Sequence, residues 1–231
     1  PVPVGSALST TDLALRIVEV DPALVLVDLR SAAAMEGATR RLREGPPVLT
    51  LEEASWELLR VGEPTRRADV PVDEPAVILY TAGRSSGRPR PVVHSHAATY
   101  AAYVPAQEWL DAGPGDLVWC TADGGSSTAL WTGLLGPWST GAAVLHIDGG
   151  LEPGERAELL ARFPPTIAVQ SPAGHAALLD LLDETGLRLD GLRNAVSAGA
   201  SLDRSLVDRF RSRTGIHLLN GFETTETGTV S

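Results

Sequence analysis

The sequence predicts an α/β fold of mainly parallel sheets flanked by helices. Three observations predict it. From Leu117 onward, short apolar runs alternate with longer amphipathic stretches, the rhythm of successive strand–helix–strand units with right-handed crossovers. Runs such as Leu117–Thr121 and Thr166–Gln170 are almost continuously apolar, as strands covered on both faces must be. Small, glycine-bearing segments follow several of them, and in open α/β sheets ligands bind beyond the carboxyl ends of the strands.

Before the regular alternation, the elements are shorter. Pro1–Val4 reads as the end of a strand. Thr10 or Thr11 caps a helix through Val20, with Leu13, Ile17 and Val20 on one face. Ala23–Leu29 is an apolar strand, Ser31–Arg43 a helix with arginines outward, and Pro46–Leu51 a short strand. Glu52–Arg60 reads as a short helix in which Trp56 packs, and Val61–Pro75 as a charged, proline-containing linker. That linker divides the chain into an N-terminal portion, 1–75, and a core, 76–231. In the core, helices are expected at His96–Leu110, Ser126–Trp138, Pro153–Phe163, Ala173–Leu182 and Ser201–Thr214. Further strands are expected at Ala142–Ile147 and His217–Phe222.

Bulk properties exclude several classes. At 231 residues the chain can bury one large core or two small ones. A formal net charge of −10 argues against nucleic acid and anionic membrane as partners, because both need clustered positive charge. No apolar run is long enough to span a bilayer, and the N-terminus lacks a basic region followed by an apolar core. Cys120 is the single cysteine, so there is no disulfide framework, which fits a reducing cytoplasm. It lies within an apolar strand and reads as a buried structural thiol. All 19 basic residues are Arg, a bias that gives any individual arginine, Arg90 included, a neutral explanation beside a functional one.

The stretch Ala76–His96 carries the densest chemistry. Ala76–Leu79 reads as a buried parallel strand closed by Tyr80. Thr81, Ala82, Gly83, Ser85, Ser86 and Gly87 follow, with Arg84, Arg88 and Arg90 supplying charge and Pro89 and Pro91 stiffening the exit. Close backbone approach at glycine, hydroxyl donors and guanidinium groups together suit phosphate oxygens. A flexible surface loop has the same composition. The order fits neither the P-loop nor the dinucleotide Gly-x-Gly-x-x-Gly pattern. It resembles the phosphate-binding signature of the adenylate-forming superfamily, which includes the acyl- and aryl-CoA synthetases. Tyr80, Thr81, Gly83, Ser85, Ser86, Gly87, Pro89 and His96 match that signature. Arg90 stands for its Lys and Pro91 for the following Gly.

Two further segments agree with the resemblance. Ser197-Ala198-Gly199-Ala200 is similar to the superfamily's Ser-x-Gly loop, whose flat backbone lies along adenine. Asn220-Gly221-Phe222-Glu223-Thr224-Thr225-Glu226 resembles its Asn-x-Tyr/Phe-Gly-x-Thr-Glu signature. The resemblance implies that Asn220 meets the adenine amino group and Phe222 stacks on the base. Gly199, Ala200, Gly221, Glu223 and Thr224 would complete the nucleotide site. Thr225 would bond the α-phosphate and the acid carboxylate, and Glu226 would hold Mg²⁺. Glu223 replaces the usual Gly, and beside a triphosphate its carboxylate is expected to turn outward. The run Val118–Gly125 is similar to the Trp-Cys-Thr-Ala-Asp-x-Gly segment of acetyl- and medium-chain acyl-CoA synthetases. Ser126 and Ser127 stand where that group has a His or aromatic residue near the acid pocket.

What the resemblance implies is an acyl-CoA synthetase-like N-terminal domain. The activity would be an acid–thiol ligase: a small carboxylic acid is activated with ATP and Mg²⁺ to an acyl-adenylate, then passed to the thiol of CoA or a carrier-bound pantetheine. The superfamily adds a C-terminal domain with a catalytic Lys. This chain has no Lys, so the expectation is a fragment or reduced form completed by a missing domain or partner chain. The alternative is a catalytically degenerate module that binds nucleotide or acyl-adenylate. His94 and His96, two residues apart, are expected to serve helix entry or packing rather than a metal, and His146, His175 and His217 have no metal-ligand spacing.

Overall fold

A computed structural model describes residues 1–5, 7–51, 60, 66, 68–83, 87–147 and 151–230. The expected Glu52–Arg60 helix with Trp56, and most of the expected linker, lie outside these residues. The chain forms two compact units, Gly5–Val70 and Pro1–Val4 with Pro71–Ser231.

In the smaller unit, helix α1 (Thr10–Val20) is capped one residue earlier than expected: the Ser9 hydroxyl accepts from Asp12 N–H at 3.1 Å. Strand β1 (Val25–Val27) and strand β2 (Val48–Thr50) pair in parallel across helix α2 (Leu29–Thr39). Asp28 caps α2 by accepting from Ser31 N–H at 2.7 Å. Leu13, Ile17, Val27 and Met35 close the small core between the two helices and the strands.

The larger unit opens on a hairpin. Strand β3 (Pro75–Tyr80) pairs antiparallel with strand β4 (Pro91–Ser95), so the expectation of a parallel strand at Ala76–Leu79 is corrected. The reason is the connection: Thr81–Arg90 is shorter than the crossover of a dozen or more residues that a parallel neighbour needs. Pro1–Val4 forms no strand; the Pro1 carbonyl accepts from Ile78 N–H at 3.0 Å. The helix expected over His96–Leu110 is two helices, α3 (His96–Ala101) and α4 (Tyr103–Glu108). Pro105 explains the break, since its ring clashes with the carbonyl four residues back, at Ala101, where α3 stops.

The centre is a five-stranded parallel sheet. Its strands are β5 (Leu117–Cys120), β6 (Ala143–Leu145), β7 (Ile167–Gln170), β8 (Asn194–Ser197) and β9 (Leu218–Asn220), in the order β6-β5-β7-β8-β9. Side chains alternate across it. Val118, Ile167, Val169 and Val196 pack with Ala106, Trp109 and Leu110 on one face. Trp119, Ala168 and Ala195 pack on the other, against helices α6 (Pro153–Arg162), α7 (Pro172–Thr185) and α8 (Arg204–Thr214) through Leu160, Leu179 and Phe210. Between β5 and β6 the chain forms a π-helix (Thr128–Leu135) and then α5 (Gly136–Thr140), in place of the single helix expected over Ser126–Trp138. The strand expected over His217–Phe222 ends at Asn220. A second hairpin follows, β10 (Phe222–Thr224) antiparallel to β11 (Gly228–Val230).

Candidate adenylate site

Four segments of the larger unit gather the predicted residues, and each is held by local geometry. In the phosphate-type loop, Thr81 N–H donates to the Arg90 carbonyl at 2.9 Å and Arg90 N–H donates to the Thr81 hydroxyl at 3.0 Å. The loop is thus pinched at its base. Gly87 N–H donates to the Gly83 carbonyl at 2.8 Å. Gly83 has φ 69°, and a Cβ there would lie 2.7 Å from the Arg88 and Pro89 backbone, so no larger residue fits. Ala82, Gly87 and Arg90 are exposed; Ser85 and Ser86 lie outside the described residues. This loop leaves the β3–β4 hairpin, a sheet of its own, and not the carboxyl edge of the parallel sheet.

Two loops do share that edge. Ser197 ends β8 and Asn220 ends β9, and the two are register partners. Gly199, at φ 87°, and Ala200 are exposed just beyond. Gly221 N–H donates to the Ser197 carbonyl at 2.8 Å, which joins the Ser-Ala-Gly loop to the start of the Phe222 hairpin. A Cβ at Gly221 would lie 2.2 Å from the Trp109 ring, so the crossing requires glycine. Phe222 emerges from it 65% exposed.

The Thr225–Thr227 turn is tied to the first hairpin. His94, buried on β4, directs Nε2 at the Thr225 carbonyl at 2.8 Å and packs edge-on against Trp131 at 5.1 Å. His94 is thus a packing and positioning residue, and it brings the phosphate-loop hairpin to the Thr-Thr-Glu turn. No sequence signal marked that contact, because its partners are 131 residues apart. Within the turn, Thr227 N–H donates to the Thr224 hydroxyl at 3.1 Å. Glu226 is exposed and lines a cavity of about 510 Å³ beside His94, Trp131 and Thr132. Among the described residues there is no group of three His, Cys, Asp or Glu side chains able to hold a metal alone.

Glu223 departs from expectation. It turns inward: its carboxylate accepts from the Thr229 hydroxyl at 3.2 Å and from the Thr132 hydroxyl at 3.4 Å. The reason is strand alternation, which sends Glu223 to the hairpin face opposite Phe222, over the π-helix. Ser126, in the position of the superfamily's His or aromatic residue, donates to the Asp123 carbonyl at 2.6 Å and accepts from Ala129 N–H at 3.2 Å, opening the π-helix. Cys120 is buried, and burial pushes its thiol up to about 11, so it is no nucleophile at neutral pH. His175 is fully buried, donates from Nε2 to the Val196 carbonyl at 2.9 Å, and is lowered in pKa by burial.

A parallel sheet with glycine-bearing loops gathered at its carboxyl edge is the arrangement of a nucleotide-binding α/β protein. The chain belongs to the AMP-binding enzyme family, which matches residues 1–231. Among curated relatives it is 30% identical over 236 residues to the uncharacterized acyl–CoA ligase YtcI of Bacillus subtilis, covering 97% of this chain and 43% of that protein. It is also 30% identical over 157 residues to the human mitochondrial acyl-coenzyme A synthetase ACSM3, covering 67% of this chain and 26% of that one. The chain therefore spans less than half the length of these relatives. Among solved structures, the anthranilate CoA ligase AuaEII in complex with anthranoyl-AMP superposes with a TM-score of 0.88 at 21% identity, over 98% of this chain and 45% of that one. A benzoate CoA ligase from Burkholderia xenovorans LB400 gives 0.83 at 22% identity, over 97% and 45%. The expected α/β fold and family are thus established. No helix among the described residues is long and apolar enough to cross a membrane.

Proposed function

We propose that residues 1–231 are the nucleotide-binding part of an ATP-dependent acid–thiol ligase. The observation that carries this reading is the junction at the sheet edge, where Gly221 N–H bonds the Ser197 carbonyl, so that the exposed Gly199–Ala200 loop and the exposed Phe222 both leave from one hydrogen-bonded point. In this reading Phe222 stacks on adenine, while Asn220 and the Gly199–Ala200 backbone frame the base. Thr81, Ala82, Gly83, Ser85, Ser86, Gly87 and Arg90 surround the phosphates. Thr225 bonds the α-phosphate and the carboxylate, aligning the two reacting groups.

Glu226 suits Mg²⁺ as one carboxylate completed by phosphate oxygens and water, a donor set this ion commonly takes. Bound there, the ion would neutralise phosphate charge. In the overall reaction, a carboxylate oxygen attacks the α-phosphorus and the bond to pyrophosphate breaks. A thiol, of CoA or of carrier-bound pantetheine, then attacks the acyl carbon and AMP leaves. The cavity of about 510 Å³ next to Glu226 has the size of a small-acid pocket.

Calorimetric titration of the 231-residue chain with AMP tests the binding half of the proposal: saturable one-site binding is expected, and no heat of binding contradicts it. For the chemistry, the same stretch by itself should release no pyrophosphate above background across a panel of acids, because no Lys is present to contact the forming acyl phosphate. Steady acyl-CoA production by the 231-residue polypeptide would contradict that division of labour.

A further inference from the structure

Glu223 is half-buried, with one carboxylate oxygen fully enclosed. Its Oε2 is held by Thr132 and Thr229, whose hydroxyls are themselves 2.6 Å apart. Its Oε1 is buried and has no hydrogen-bond partner, and among the described residues no cation pairs with it. A buried, unpaired carboxylate oxygen is costly, and a fold keeps one where something else completes it. The surroundings say where that something comes from. Glu223 and Thr229 face each other across the β10–β11 hairpin, over the π-helix and near the end of β5, where Glu223's charge adds to the burial that raises the Cys120 thiol. Thr132 and Thr229, the two hydroxyl partners, also line the cavity that Glu226 borders.

We propose that Glu223, with Thr132 and Thr229, is the recognition point for a positively charged nitrogen on the carboxylic acid, so that the acid is an amino acid or similar ammonium-bearing acid. This inference rests on the adenylate reading of the site. An ammonium group supplies both what Oε1 lacks, a donor, and what the carboxylate lacks, a countercharge. A neutral acid of the same length leaves both unmet, and a site built around a polar partner discriminates strongly against an analogue that lacks it. The same position occupied by glycine would hold no such charge.

Two acyl-sulfamoyl adenosines test the inference, one carrying a 4-aminobutanoyl and the other a pentanoyl chain, titrated into the 231-residue chain alongside AMP. The wild type should bind the amino compound at least about ten-fold more tightly. Glu223→Gln and Glu223→Gly should each bring the pair to near equality while leaving AMP affinity unchanged. Equal binding of the two by the wild type, or preference for the pentanoyl compound, overturns the inference and leaves the adenylate reading standing. Failure to bind AMP and both analogues overturns the two together.

Discussion

Phe222 projects from the hairpin with 65% of its surface exposed, a poor place for a phenyl ring unless something flat covers it. Replacing it with alanine removes that surface without touching the core. Phe222→Ala should therefore cost AMP binding about 1–3 kcal/mol, the range of base–aromatic stacking, at unchanged thermal stability. An unchanged dissociation constant refutes the assignment. Glu226 is also exposed, at the turn that His94 holds through the Thr225 carbonyl. Glu226→Gln should weaken Mg²⁺-dependent ATP binding more than binding of metal-free AMP. Equal losses would make Glu226 structural. At this scale the identities of the candidate residues were legible in the sequence, but their directions were not. Glu223 reads as a carboxylate turned outward from the triphosphate, whereas strand alternation turns it inward to Thr132 and Thr229.

Between elements, what positions the site is a set of close approaches. Gly221 passes so near Trp109 that a methyl group would overlap the indole, and the same residue bonds Ser197. Gly221→Ala should destabilise the fold by about 1–3 kcal/mol, as overpacking does, seen as a lower denaturant midpoint at constant slope. The cost should shrink in a Trp109→Ala background; an equal cost there would show that Trp109 is not the obstacle. Such contacts explain which elements the sequence conveyed. The parallel strands and helices α6 to α8 announce themselves because each buries a periodic face. Strand β4 did not, because its Val92–Val93 run abuts the start of α3 and reads as helix approach. The break between β9 and β10 was hidden because Gly221 matters through Trp109, 112 positions away.

Across the larger unit, the end of the sheet opposite the candidate site is fastened by Arg193. Its guanidinium donates to both Asp116 oxygens, at 2.9 and 2.7 Å, and to Asp111 at 2.6 Å. The Arg193 hydrogen bond is the main cause that holds the Asp116 carboxyl down to about 2, with Thr166 and Gly113 N–H assisting against the opposing cost of burial. A depressed carboxylate contributes stability above its unfolded pKa, and that contribution disappears as pH falls through its folded one. The fastening should thus be fully present above about pH 4 and lost toward pH 2, a change of about 2 kcal/mol. Asp116→Asn should flatten that part of the stability–pH curve; an unaltered curve would assign the acid sensitivity elsewhere.

The central claim for the molecule is that loops from two sheet strands and from the β3–β4 hairpin form one adenylate site. Backbone amide shifts of the isotopically labelled chain, followed during titration with AMP, test it most directly. Saturable shifts are expected to concentrate at Gly83, Gly87, Gly199, Ala200 and Asn220–Thr225, with the region of Arg193 and Asp116 unmoved. Shifts confined to the Arg193 end, or none at saturating AMP, would contradict it.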